Sequence, residues 1–325
     1  MNDMVLTLAL DRYDRHVPFF LGSVQAPPGL QYKALEVGMV PPRANGVDRH
    51  RRMLRDFEFD AAEVSLCSYI LARTRGVPLT GVPVFPRRLY SQNHIFVNRR
   101  SGIDKPADLR GRRIGLWAFQ VTMSVLAKGD LKSHYGVPWE EVRWVTGFPE
   151  EMAWDPGSLP IERAPAGKDL AQMLVDGEID GYIYPHPDAL VQERTDKVRR
   201  LFPDADQECV RYTRSRGYYP IMHLIAVKEE RLRERPSLAR DIMAMYEEAK
   251  RQAYDFYHDP GYSLIALARN EYERQIANIG PDPWTAGLKA NARNLEGFIG
   301  YMVDQRLLKE PVPVESLFHP SVLDT

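Results

Sequence analysis

Residues 101–122, SGIDKPADLRGRRIGLWAFQVT, constrain the fold of this chain more than any other stretch. A short helical turn is expected first: Asp104 can cap it, Pro106 suits its opening residues and Gly111 can end it. Arg113-Ile114-Gly115-Leu116 then reads as a strand, with Trp117 to Gln120 as the loop that opens a following helix. In open α/β sheets the loop at the carboxyl end of such a strand is where ligands bind, and a helix N-terminus favours an anion there. The pattern predicts an α/β protein with a small anionic ligand.

The same alternation runs through the rest of the chain. Strands are expected at 5–10, 32–37, 59–64, 79–85, 95–97 and 221–227, and helices at 50–57, 239–257 and 288–305, with a further helix carrying Tyr69, Ile70 and Leu71. The segment 41–46, PPRANG, is turn-rich. Met53-Leu54-Arg55-Asp56-Phe57-Glu58-Phe59-Asp60 matches Met173-Leu174-Val175-Asp176-Gly177-Glu178-Ile179-Asp180 at Met, Leu, both Asp and Glu, each copy reading as helix end, tight turn and strand. At 325 residues the chain is long enough for two lobes. Helix–strand alternation in both halves, with crossings at 95–97 and 221–227, predicts a first lobe of 1–94 plus 221–325 and a second of 95–220. Loops after strands of both lobes would line a ligand cleft between them.

Net charge of −1 gives no global basic field, so a nucleic-acid partner is not expected. The one basic cluster, Arg49-His50-Arg51-Arg52, reads as a solvated helix face. Cys67 and Cys209 carry no paired-cysteine spacing and are expected as free thiols, although a disulfide between them stays open. The opening MNDMVLTLALD has an acid at position 3 and an apolar run too short for a secretion signal. No apolar stretch approaches the roughly 18 residues of a membrane span. A cytoplasmic protein without a membrane partner is expected.

Several segments together, PVFPRR (83–88), the GIDKPADLRGRRIG element, FQVT (119–122), PIMH (220–223) and NARNLEGF (291–298), resemble the 4,5-dihydroxyphthalate decarboxylase family. The likeness covers most of the chain. It implies a two-lobed, type II periplasmic-binding-protein-like α/β fold and a cytosolic enzyme of aromatic-acid catabolism that needs no organic cofactor. The chain departs from the family pattern just past Pro86-Arg87-Arg88, where an Arg-His pair is replaced by Ser91 and Gln92, with His94 the nearest histidine.

Losing carbon dioxide directly from a benzoate would leave an unstable aryl anion. A para or ortho hydroxyl opens an easier path: deprotonating it pushes electrons onto the carboxylate-bearing carbon, which is protonated before the C–C bond breaks. Such a site needs a base, an acid and cations for carboxylates. Arg88 is the first candidate anchor and Arg12 the second, each with a solvated surface arginine as the plain alternative. His94 and His223 are candidate acids, as histidine titrates near neutrality, though His223 also reads as a hydrogen-bonded core residue; His186, in the loop 184–187, is a candidate ligand contact or a plain turn residue. Glu63 and Ser65 end the strand at 59–64, while Gln120 and Thr122 open the helix after 113–116. Tyr13 and Phe119 could stack on an aromatic ring, though either could equally be core, and Tyr184 is a candidate substrate contact. No metal-ligand spacing, phosphate loop, dinucleotide fingerprint or nucleophile elbow is present, so no metal or cofactor is expected. The expected function is cofactor-independent decarboxylation of a hydroxylated aromatic carboxylate, 4,5-dihydroxyphthalate or a relative. The alternative is a protein that binds or senses a small carboxylate without chemistry. Either leaves a homo-oligomer open.

Overall fold

The structure, a computed structural model, describes residues 3–38, 49–186 and 189–325. The turn-rich 41–46 segment lies outside the described residues. The chain divides into two compact units, one of residues 1–88, 221–295 and 312–325, the other of 89–220 and 296–311. Residues 296–311, expected with the first lobe, group with the second unit. There the Tyr301 ring covers Gly129, and Gln305 Nε2 donates to the Val125 carbonyl at 2.8 Å.

The first unit is built on a five-stranded sheet in the order β2-β1-β3-β11-β4, with β1 at Met4–Leu10, β2 at Leu30–Glu36, β3 at Ala61–Ser65, β4 at Leu79–Arg88 and β11 at Ile221–Lys228. β1 runs parallel to β2 and β3, while β11 lies antiparallel between β3 and β4. All of β3 is buried, as a central strand covered on both faces requires. Glu63 is therefore a carboxylate in the middle of an apolar strand. The β11–β4 pairing shifts register on either side of His223, and such irregularities re-aim side chains.

The second unit holds a six-stranded sheet in the order β10-β5-β9-β6-β7-β8, with β5 at Ile95–Asn98, β6 at Arg113–Leu116, β7 at Arg143–Thr146, β8 at Ile161–Arg163, β9 at Gly181–Ile183 and β10 at Val198–Arg200. β6 to β9 are mutually parallel, so their carboxyl ends lie at one edge of the sheet. The expected turn before β6 forms at Pro106–Leu109, and Gly111 ends it at φ 71°. Its cap comes from Asp108, which accepts from the Asp104 and Lys105 amides at 3.0 and 3.1 Å. Asp104 instead pairs with Arg199 at 2.7 Å.

Both copies of the internal repeat take the predicted helix–turn–strand path. The helices Arg49–Leu54 and Leu170–Asp176 lead through left-handed residues, Phe57 at φ 50° and Gly177 at φ 79°, into β3 and β9. Glycine occupies that conformation without penalty, whereas phenylalanine costs about 1–2 kcal/mol there. Among the described residues no helix is long and apolar enough to cross a membrane. Cys67 and Cys209 are buried free thiols.

Candidate active site

In the first unit, the ends of β1, β3 and β11 bring a set of polar side chains around one buried carboxylate. Glu63 is fully buried. Its Oε1 meets His223 Nδ1 at 2.5 Å and accepts from the Tyr13 hydroxyl at 2.9 Å. Its Oε2 lies 3.1 Å from Arg49 Nη2. Burial pushes the Glu63 pKa up, but the Arg49 charge and the His223 bond outweigh it and hold the carboxyl well below its usual range. Glu63 is thus ionised at neutral pH.

The antiparallel register places His223 opposite Ser65, so the imidazole shares a sheet face with Glu63 two residues earlier on β3. Burial drives the His223 pKa down to about 4 against the opposing effect of Glu63, leaving the ring neutral at pH 7. An ionised Glu63 can only accept, so Nδ1 carries the proton and Nε2 the lone pair. This is a base oriented by a buried acid.

Further residues complete the cluster. Arg49 is fully buried, and its Nε donates to the Glu63 carbonyl at 2.7 Å while Nη1 donates to the Val37 carbonyl. His50 packs edge-on against His223 with ring centroids 4.8 Å apart. The four-residue basic cluster is therefore split, with Arg49 and His50 buried in the site and Arg51 exposed, rather than forming one solvated face. His16 donates through Nδ1 to the Asp11 carbonyl at 2.8 Å and supports the Tyr13 ring at 4.9 Å. Burial lowers the His16 pKa to about 4, so it too is neutral. Arg87 reaches the Tyr13 hydroxyl at 3.5 Å.

Of the expected residues, Glu63, His223, Tyr13 and Ser65 come together here. Arg88 does not join them. It is buried, and its Nη2 donates to Asn291 Oδ1 at 2.6 Å and to the Thr285 carbonyl at 3.0 Å, tying the strand to the carboxyl-terminal segment. Alternate residues of a strand face opposite ways, and Arg87 is the one beside Tyr13. Arg12 is exposed and sits 3.6 Å from Glu36.

The remaining expected residues lie in the second unit. His94 Nδ1 meets the Tyr184 carbonyl at 3.1 Å, and His186 packs edge-on to the Tyr184 ring at 5.7 Å. Phe119, for which a ligand contact and a core place are equally open from sequence, is fully buried and stacks on Trp154, with Lys128 above its ring. It is a core residue. Thr122 begins the Thr122–Ser133 helix, and Val121 takes the N-cap position with no side-chain cap. Gln120 is buried, and its amide and that of Phe119 donate to Glu150. Among the described residues no group of histidines, cysteines or carboxylates is arranged to hold a metal ion.

Two α/β units with these sheet orders define the type II periplasmic-binding-protein-like fold. A solved alkanesulfonate-binding protein, SsuA from Xanthomonas axonopodis pv. citri bound to MOPS, superposes with a TM-score of 0.61 over 98% of this chain and 99% of its own, at 14% identity. The family model described as NMT1/THI5 like matches residues 33–150. A 4,5-dihydroxyphthalate decarboxylase of Comamonas testosteroni is 28% identical over 100% of this chain and 99% of its own length. One from Pseudomonas putida is 30% identical over 67% of this chain and 84% of its own length. The chain belongs to the 4,5-dihydroxyphthalate decarboxylase family.

Proposed function

We propose that this protein decarboxylates a hydroxylated aromatic carboxylate, 4,5-dihydroxyphthalate or a close relative, without a cofactor, and that Glu63 and His223 carry the proton chemistry. The observation that carries this reading is the 2.5 Å contact between an ionised, fully buried Glu63 and His223 Nδ1, which leaves Nε2 as the basic atom. The substrate's para hydroxyl gives its proton to Nε2, and Glu63 balances the imidazolium charge that results. Electron density reaches the carboxylate-bearing carbon, which takes up a proton. The C–C bond then breaks, carbon dioxide leaves, and the electron pair restores the aromatic ring while His223 returns its proton to the hydroxyl oxygen.

The proton for the ring carbon comes from the medium. Burial and the Glu63 charge raise the Tyr13 pKa, and neutral His16 has no labile charge to give. Arg87, next to Tyr13, is the cation placed to hold a substrate carboxylate, the role expected of Arg88. The names of the two decarboxylase relatives support the reaction class. The two free, buried thiols support a reducing, cytoplasmic setting.

The test is incubation of purified protein with 4,5-dihydroxyphthalate and a panel of hydroxybenzoates, followed by carbon dioxide and product assays. Release of carbon dioxide from at least one is expected. Tight binding of an aromatic acid with no turnover across the panel overturns the catalytic reading in favour of a binding protein.

A further inference from the structure

The edge of the second unit's sheet carries a carboxylate already. After β7 the chain turns through residues 147–152, and Glu150 reaches back to the loop that follows β6. Its Oε1 accepts from the Phe119 amide at 2.8 Å and its Oε2 from the Gln120 amide at 2.9 Å. Each oxygen takes one main-chain N–H, the two-point arrangement by which backbone amides recognise a carboxylate. The Gln120 side chain is tied to the same segment. The residue is 1% exposed, its Oε1 accepts from the Met152 amide at 3.3 Å, and its Nε2 has no hydrogen-bond partner among the described residues. A buried N–H left unspent is costly, and an oxygen that reaches it recovers that cost.

Aromatic rings stand on the same strand ends. Phe148 stacks on Trp117 with centroids 3.4 Å apart, and Trp117 on Tyr184 at 5.5 Å, the planes within 18° of one another. Phe148 is 43% exposed, so ring surface remains open beside the occupied amides. Stacking surface and carboxylate seat together describe an aromatic acid.

We propose that Glu150 is an internal carboxylate that holds the seat of a ligand carboxylate, so that residues 147–152 select aromatic acids by exchange. A ligand carboxylate takes the Phe119 and Gln120 amides, the Glu150 side chain swings to solvent, and the ring of the ligand meets the Phe148 face, which stays in place. A neutral ring cannot displace Glu150, because it offers the two amides nothing in return. The exchange concerns binding alone and goes beyond the chemistry proposed for Glu63 and His223.

The experiment is titration calorimetry on the full chain with phthalate and benzoate as probes and catechol as the control without a carboxylate. Apparent affinity scales with the fraction of molecules whose seat is free. If Glu150 holds the seat roughly nine-tenths of the time, Glu150→Gln tightens phthalate and benzoate binding about tenfold and leaves catechol unchanged. Glu150→Asp, one methylene shorter, moves affinity the same way by less and serves if the glutamine variant does not fold. In amide-resolved NMR, phthalate shifts the Phe119 and Gln120 signals of the unmodified protein. Unchanged or weaker acid binding in a folded variant overturns the proposal, as do unmoved amide signals at saturation or no binding of either acid. A protein that exchanges phthalate in this way yet releases no carbon dioxide from any substrate would fail the catalytic reading and keep this one.

Discussion

Arg49 Nη2 lies 3.1 Å from Glu63 Oε2, and neither side chain has any exposure to solvent. The arginine also donates to the main chain at Glu63, so one guanidinium fixes both the charge and the position of the carboxylate. Removing one partner of a buried pair strands the other charge, which typically costs about 3–5 kcal/mol. Arg49→Met is expected to lose that much in urea unfolding. The double variant Arg49→Met/Glu63→Gln is expected to recover part of the loss, because no unpaired charge remains. Additive losses in the double variant would show that the pair does not act as one unit.

Glu63→Gln tests the tautomer directly. A glutamine side chain can present an N–H to Nδ1 and so favour the proton on Nε2, which removes the base while keeping the side-chain volume. Turnover is expected to fall about 10²–10⁴-fold, as for loss of a positioned general base. His223→Asn is expected to fall by a similar factor. Both variants are expected to retain binding of an unreactive phthalate analogue by calorimetry. Full turnover in both would remove Glu63 and His223 from the mechanism.

Acid sensitivity follows from the neutral histidines of the first unit. His16 and His223 are both lowered from 6.5 to about 4, chiefly by burial. Between those values the unfolded chain binds more protons than the folded one, so stability climbs with pH through this window and is lost as pH falls through it. Each ring contributes on the order of 3 kcal/mol across the full shift. Glu63, held low, adds a loss of the same sign at the acid end. Thermal unfolding from pH 4 to 7 should show Tm falling toward acid, and His16→Phe should flatten the slope. The same His223 pKa places the acid limb of kcat/KM near pH 4 rather than 6.5.

Glu63 is legible in the sequence because a carboxylate inside an apolar strand has to find a partner, and Tyr13 because it follows the end of β1 closely. His223 is legible as a polar residue within the apolar run of β11. The partners are not legible. Arg49 and His50 stand in a run of basic residues on a six-residue helix, where local composition says solvent. The main chain at Glu63 and Val37 holds Arg49, and the His223 ring packs on His50, none of them a local neighbour. Arg87 and Arg88 are adjacent in β4, and a strand sends neighbours to opposite faces. Which of them meets Tyr13 depends on a strand register that shifts twice near His223, and residue type carries no record of that shift. The α/β class was open to inspection because apolar periodicity is local. The grouping of residues 296–311 with the second unit was not, as it rests on contacts distant in sequence, the approach of Tyr301 to Gly129 and the Gln305 bond to Val125 among them.

That approach makes its own prediction. A Cβ built on Gly129 would lie 2.2 Å from the Tyr301 ring. Gly129 sits in the Thr122–Ser133 helix, where alanine has the better intrinsic propensity. Overpacking is expected to outweigh that gain, and Gly129→Ala should destabilise by about 1–3 kcal/mol in urea unfolding. In the double variant Gly129→Ala/Tyr301→Ala the added methyl has room, so its cost should largely disappear. A Gly129→Ala protein as stable as the parent would mean that the ring moves aside freely.

The second unit carries a titration of the opposite sign. Asp130 is buried and accepts from Ser91 Oγ at 2.7 Å, the Tyr212 hydroxyl at 2.9 Å and the Tyr301 hydroxyl at 3.2 Å. Burial raises its pKa from 3.8 to about 6, against those three hydrogen bonds and the Arg216 charge. Between 3.8 and 6 the folded protein holds a proton that the unfolded chain has released, so stability at this group is lost as pH rises. Asp130→Asn removes the titration and keeps an oxygen for Tyr212, while Ser91 can turn its hydroxyl to accept from the new amide. The variant should therefore gain stability relative to the parent between pH 4 and pH 7, when Tm is compared buffer by buffer. His16→Phe moves the same comparison the other way, gaining on the parent toward acid. A Tm profile parallel to the parent's in either variant would show that the group it replaces does not titrate with the stated shift.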